Sequence, residues 1–308
     1  MTAPPPPPAE LVDGLTELRL EHGPLRFPAW AAGDPAAPLV LCLHGFPDAP
    51  WTWRRQLPAL AEAGYYAVAP TIRGYAPSAA PADPVYKLDA CATDVTAWAD
   101  ALGAARFHLV GHDWGAIIAY WAATAAPERV ATLSTLAVPP TWRFMASTLR
   151  VPRQLLKSWY VFAFQGRGLS VAAASRGDHA LLKRLWRDWS PNYALSDLEW
   201  RALQTQFAQP GVTANALRYY QQNLSPAWML SPSGGAPAGL PIQAPTLAIT
   251  GADDGCVDTR IYDHAFRPGD FAGALRIERL VGAGHFAQLE QPDQVTALLL
   301  DGLSRATL

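Results

Sequence analysis

The sequence predicts an α/β fold in which a mostly parallel, doubly wound sheet carries helices on both faces. Three observations carry that prediction. Short continuous apolar runs, each stopped by glycine or proline, alternate with segments long enough for helices. That is the pattern of strands buried on both faces. One stretch, 141–230, breaks the alternation with aromatic residues at helical spacing and no good strand. Finally, polar groups stand immediately after four of the runs, where open α/β sheets bind their ligands.

Taken in order, the chain begins MTAPPPPPAE, and residues 4–8 favour an exposed polyproline II extension. Residues 15–31 read as an antiparallel edge hairpin. Strands follow at 39–43, 65–69, 106–110, 130–138, 246–250 and 275–281. Between them, helices are expected over 53–63, 86–102, 114–126, 258–267 and 286–303. Residues 231–239, Ser-Pro-Ser-Gly-Gly-Ala-Pro-Ala-Gly, read as a flexible linker that returns the chain to the sheet. The expected organisation is therefore an extension (1–14), a core (15–140 and 240–308) and a helical lid with its return linker (141–239).

Composition narrows the function. The chain has 308 residues, half of them hydrophobic, and a chain of this size buries roughly three quarters of its unfolded surface. A formal charge of −2 with no basic run argues against a phosphate-tracking nucleic-acid surface. The three cysteines, Cys42, Cys91 and Cys256, have no regular spacing, which suits neither a disulfide framework nor a zinc site and points to a reducing, cytoplasmic setting. No secretory leader is recognisable, and no apolar run reaches the roughly 18 residues of a membrane span. A membrane partner is not expected, nor is a metal or organic cofactor. The aromatic content of the lid leaves a monomer or a homodimer open.

The chemistry is concentrated at four strand ends. Gly111-His112-Asp113-Trp114-Gly115 lies between a strand and a helix, and small residues at both ends permit a sharp turn that exposes the middle side chain. This is the nucleophile-elbow pattern, with aspartate in place of the commoner serine. The alternative is that Asp113 merely caps the helix. His44-Gly45-Phe46-Pro47 follows another strand, and its turn can aim the Phe46 N–H, with that of Trp114, at one point as an oxyanion hole. Gly251-Ala252-Asp253-Asp254 and Gly282-Ala283-Gly284-His285 close two more strands. Nucleophile, acid and histidine thus appear in the chain order of a hydrolytic triad, with His285 as base and an aspartate to orient it.

These motifs, HGFP at 44–47, RGYAPS at 73–78, GHDWGA at 111–116 and GAGHF at 282–286, resemble those of the α/β hydrolases, in particular the epoxide hydrolase and haloalkane dehalogenase group. The resemblance runs from about residue 15 onward. It implies an α/β-hydrolase fold with a helical lid. Family spacing favours Asp254 over Asp253 as the triad acid. Two positions depart from the family: Thr71 stands where Asp is usual and Ala76 where Gly is usual. Both concern loop conformation.

A carboxylate nucleophile argues against esterase, lipase and protease chemistry, because it displaces a leaving group from an sp³ carbon and forms an alkyl-enzyme ester. Epoxides and alkyl halides remain. Opening an epoxide needs an acid for the alkoxide, and the resemblance implies a pair of lid tyrosines. Tyr160, five residues before Gln165, matches the first. Tyr220 matches the second, with Tyr219 as the alternative. The usual second halide donor of haloalkane dehalogenases would fall at Phe46. The arginines of haloacetate dehalogenases would fall near Trp114 and Ile117. Their absence favours a small, neutral, apolar epoxide as substrate, with water. Haloalkane dehalogenase activity is the runner-up, and a non-catalytic ligand-binding protein of the same fold is the reading from another class.

Overall fold

The computed structural model describes residues 7–224 and 235–306. The expectations for the extension at 1–6 and for 225–234, which takes in the end of the lid and the start of the return linker, fall outside the described residues. Eight strands form one sheet in the order β1-β2-β4-β3-β5-β6-β7-β8. They are β1 (Thr16–His22), β2 (Leu25–Ala32), β3 (Leu39–Leu43), β4 (Tyr66–Pro70), β5 (Phe107–His112), β6 (Val130–Leu136), β7 (Thr246–Gly251) and β8 (Leu275–Leu280). The first two form the expected hairpin at one edge, and β2 meets β4 antiparallel. All later pairings are parallel.

The central strands β3, β4, β5, β6 and β7 are buried at every residue, which is why they read as mainly apolar runs rather than as alternating ones. β2 alternates buried and half-buried residues, as a strand with one covered face should. Helices α1 (Gln56–Glu62), α2 (Leu88–Ala101) and α3 (Trp114–Ala125) lie between strands. Two separate apolar clusters, one containing Leu41, Leu109 and Ile118 and the other Val40, Val110 and Leu299, correspond to the two faces of the sheet, because neighbouring strand residues point to opposite sides.

Two helix expectations change. Residues 258–267 form a 3-10 turn, Thr259–Ile261, and one helical turn, Tyr262–Ala265, because Asp258 caps Arg260 and the chain is extended again at Phe266. The final segment divides into Ala287–Glu290 and Pro292–Leu303. Pro292 disfavours helical geometry at Gln291, whose φ is −134°. Within the expected extension, Leu11 is already buried in the core.

Among the described residues, six α-helices stand between β6 and β7: α4 (Thr141–Thr148), α5 (Arg153–Lys157), α6 (Trp159–Ala163), α7 (Gly168–Trp189), α8 (Asp197–Phe207) and α9 (Val212–Asn223). α7 is interrupted at Arg176–His179. α8 starts with a capping box in which Ser196 and Glu199 satisfy each other's backbone N–H groups. Gln165 ties α6 to α9 by donating to the carbonyls of Val161, Tyr220 and Leu224.

Candidate active site

Asp113 sits at the break between β5 and α3, with φ 53° and ψ −119°. An L-residue adopts this backbone only when its surroundings impose it. Here the N–H of Asp113 donates to Leu136 O, and its carbonyl accepts from the N–H groups of Ala116 and Ile117. The turn also needs close approach. A Cβ on Gly115 would lie 2.3 Å from Leu43 O, and one on Gly45 would lie 2.4 Å from Asp113 Oδ1 and 2.7 Å from Trp114 N. The alternative role, a helix cap, is not what the side chain does: no backbone N–H of α3 bonds to it. The Asp113 Oδ1 atom instead accepts from the Phe46 N–H at 2.6 Å.

The other oxygen, Oδ2, faces His285 Nε2 at 3.5 Å. On the far side of the ring, His285 Nδ1 donates to Asp254 Oδ2 at 2.9 Å. The remaining Asp254 oxygen accepts from the N–H groups of Cys256 (2.7 Å) and Val257 (2.8 Å). Asp254 and His285 are fully buried and Asp113 nearly so. Burial pushes the His285 pKa down, but the Asp254 charge, together with Cys256 and Asp113, overcomes it and holds the ring well above the usual histidine range. Asp253 is exposed and accepts from Asn192 Nδ2. Of the two aspartates, only Asp254 meets the histidine.

Asp113 opens onto a cleft whose other wall is the inserted helices. Trp114, Ile117, Val138, Phe144, Met145, Leu155, Val161, Phe162, Leu224 and Val257 make it apolar, and Tyr160 and Tyr220 stand in it. The two tyrosine rings are 5.8 Å apart. The Tyr220 hydroxyl is buried with no hydrogen-bond partner among the described residues. The Tyr160 hydroxyl lies 3.1 Å from Cys256 Sγ. Burial first, then the nearby Asp113 charge, raises Tyr220 well above the ordinary tyrosine value; burial, Cys256 and Tyr220 do the same to Tyr160. Tyr219 points away from Asp113, and its hydroxyl donates to Arg73 O at 2.8 Å.

Sequence reasoning missed three neighbours of this site. Cys256, which touches Tyr160, carried no motif. Asp48 and His112 lie behind the triad. His112 Nε2 donates to the carbonyl of His285, and its Nδ1 faces Asp48 Oδ2 at 3.9 Å. Burial, outweighing the Ala49 N–H and Thr52, raises Asp48 to about 7. Burial and His285 drive His112 well below the usual histidine range. His112 sits within the GHDWG signature, so its position was visible there but its contact was not.

The family model described as alpha/beta hydrolase fold matches residues 38–292. The chain belongs to the α/β-hydrolase family. Within it, the chain groups with proteins named epoxide hydrolases, as its motifs suggested. It is 31% identical over 324 residues to epoxide hydrolase A of Mycobacterium tuberculosis, with 94% of this chain and 97% of that protein covered. It is 32% identical over 307 residues to Homo sapiens epoxide hydrolase 4, covering 94% of this chain and 79% of that protein. Among solved structures, epoxide hydrolase A from Mycobacterium thermoresistibile superposes with a TM-score of 0.75 at 29% identity, covering 96% of this chain and 99% of that one.

Proposed function

We propose that this hydrolase opens an apolar epoxide to a vicinal diol through a covalent ester on Asp113. The observation that carries the reading is the cleft itself, which joins a backbone-held carboxylate to two tyrosine hydroxyls across apolar walls. Asp113 Oδ2 attacks a ring carbon and the C–O bond breaks. Tyr220, assisted by Tyr160, protonates the leaving oxygen. Water, deprotonated by His285 Nε2, then attacks the carbonyl carbon of the ester. The oxyanion forms on Oδ1, which already accepts from the Phe46 N–H; the Trp114 N–H, not bonded to the resting carboxylate, is the second donor it would gain. Collapse releases the diol, and the proton held on His285 returns through solvent to the tyrosinate.

The raised basicity of His285 fits this order. Before attack, Asp254 and Asp113 both favour the imidazolium. Alkylation removes the Asp113 charge, so the ring loses its proton more readily at the step that needs a base. Tyrosines held above their usual range stay protonated at neutral pH and can donate.

His285→Gln should block ester hydrolysis without blocking alkylation. Intact-protein mass spectrometry after incubation with styrene oxide should show a gain of one epoxide mass, located on Asp113. No adduct, from a variant whose parent turns over that epoxide, would remove the covalent mechanism. A parallel assay with a bromoalkane tests the substrate class. Faster halide release than diol formation in the parent would make this a dehalogenase.

A further inference from the structure

Eight large apolar side chains are exposed among the described residues, and six of them fall between 149 and 169: Leu149, Leu155, Leu156, Trp159, Phe162 and Leu169. Leu149, Leu156 and Leu169 are 78%, 77% and 82% exposed. Clustering of this kind marks an interaction surface more often than chance exposure does. Leu155 and Phe162 also line the cleft that reaches Asp113, so the exposed stretch includes part of the cleft's rim.

The same stretch carries charge of one sign. From 141 to 177 the sequence has six Arg or Lys residues and no Asp or Glu, within a chain of net charge −2. Arg143 is paired with Asp270, and Lys157 donates to the carbonyl of Asp254. Arg150, Arg153, Arg167 and Arg176 are exposed, and none forms an ion pair among the described residues.

We propose that this rim docks on an anionic lipid surface, with Leu149, Leu156 and Leu169 entering the headgroup–acyl boundary and Arg150, Arg153 and Arg167 meeting lipid phosphates. Bulky apolar side chains with an interfacial tryptophan, flanked by basic residues and free of acids, are the composition of elements that lie on membranes. A second copy of the chain is the competing occupant. A two-fold pair would bring the two basic rims together, and like charges face to face oppose association. Charge therefore selects the anionic surface. The docking is peripheral: no helix among the described residues is long and apolar enough to cross a membrane. Its consequence, that an apolar substrate enters from the lipid side, rests on the epoxide reading; the binding itself does not.

The test is co-sedimentation of the full chain with phosphatidylcholine vesicles and with vesicles containing about one-third phosphatidylglycerol, at low salt and at ~0.5 M salt, where charges a few ångströms apart are already screened. The protein should pellet with the anionic vesicles at low salt and much less at high salt. Leu149→Ser/Leu156→Ser/Leu169→Ser should lower the partition coefficient by about tenfold or more. Arg150→Gln/Arg153→Gln/Arg167→Gln should lower it by roughly fivefold per arginine. Thermal unfolding should be unchanged in both, and the arginine set decides the matter if the leucine set fails to fold. Three outcomes overturn the proposal: no pelleting with either vesicle, equal pelleting with both, or variants that bind as the parent does. A dimer that the leucine substitutions dissociate, with no vesicle binding, would overturn it in favour of a second copy.

Discussion

The two walls of the cleft are held in different ways. On the sheet side, Asp113 Oδ1 accepts from Phe46 N–H, Asp254 accepts from two backbone N–H groups, and His285 is fixed through Nδ1. The two triad atoms without a hydrogen bond, Asp113 Oδ2 and His285 Nε2, face each other at 3.5 Å. On the helical side, one tyrosine hydroxyl rests on a thiol, the other has no partner among the described residues, and most of the side chains that face the cleft are apolar and meet by packing. Backbone geometry cannot drift without unfolding the strand ends, whereas packed side chains can exchange with little loss of stability. On the proposed mechanism, bond-making would belong to the rigid wall and choice of substrate to the adjustable one.

That division can be broken most directly at Asp113. Asp113→Ala should lower diol formation by more than about 10⁴-fold, as loss of a nucleophile does elsewhere. Turnover within tenfold of the parent would mean that the chemistry lies elsewhere. On the helical wall the effects should be smaller and unequal. Tyr220→Phe should cost about 10²- to 10³-fold in kcat/KM, within the range of general acid catalysis, and Tyr160→Phe about tenfold, because its hydroxyl must first leave Cys256. Equal losses would show that the two are interchangeable.

The pH profile sharpens the same point. A tyrosine donates only while protonated, and both are held above the ordinary value of about 10. Activity should therefore persist through pH ~9–10 and fall only beyond it. A decline below pH 9 that disappears in Tyr220→Phe would contradict this. The smallest effect is expected at Cys256. Cys256→Ala frees Tyr160, so kcat/KM should rise by about fivefold or less, equivalent to one ordinary hydrogen bond, and the gain should vanish in a Tyr160→Phe background.

The contrast between the walls also explains what could be read from the sequence. The buried strands are mainly apolar runs, and the residues of the proposed triad follow glycine-marked strand ends, so the fold and the order of those residues were legible without coordinates. Tyr219 and Tyr220 were not separable, because adjacent helical residues differ by about 100° in direction and only packing decides which faces the cleft. Packing turned Tyr219 toward Arg73. Cys256, Asp48 and His112 meet the site through contacts between distant segments, which no local pattern encodes. The basic stretch at 141–177 vanished in the chain's overall charge of −2, since acids elsewhere offset it.

One residue remains with a cost attached. Asp113 holds a backbone conformation that suits glycine, and an aspartate held there costs roughly 1–3 kcal/mol. Asp113→Gly would relax the turn while deleting the proposed nucleophile. The substitution would also leave the buried Phe46 N–H without its acceptor, a loss of the same size as the strain relieved, so the melting temperature should move little while, on the proposed mechanism, activity is lost. On the proposed mechanism, the strained backbone is what keeps a carboxylate at the tip of the turn, where a relaxed residue would leave the cleft without one.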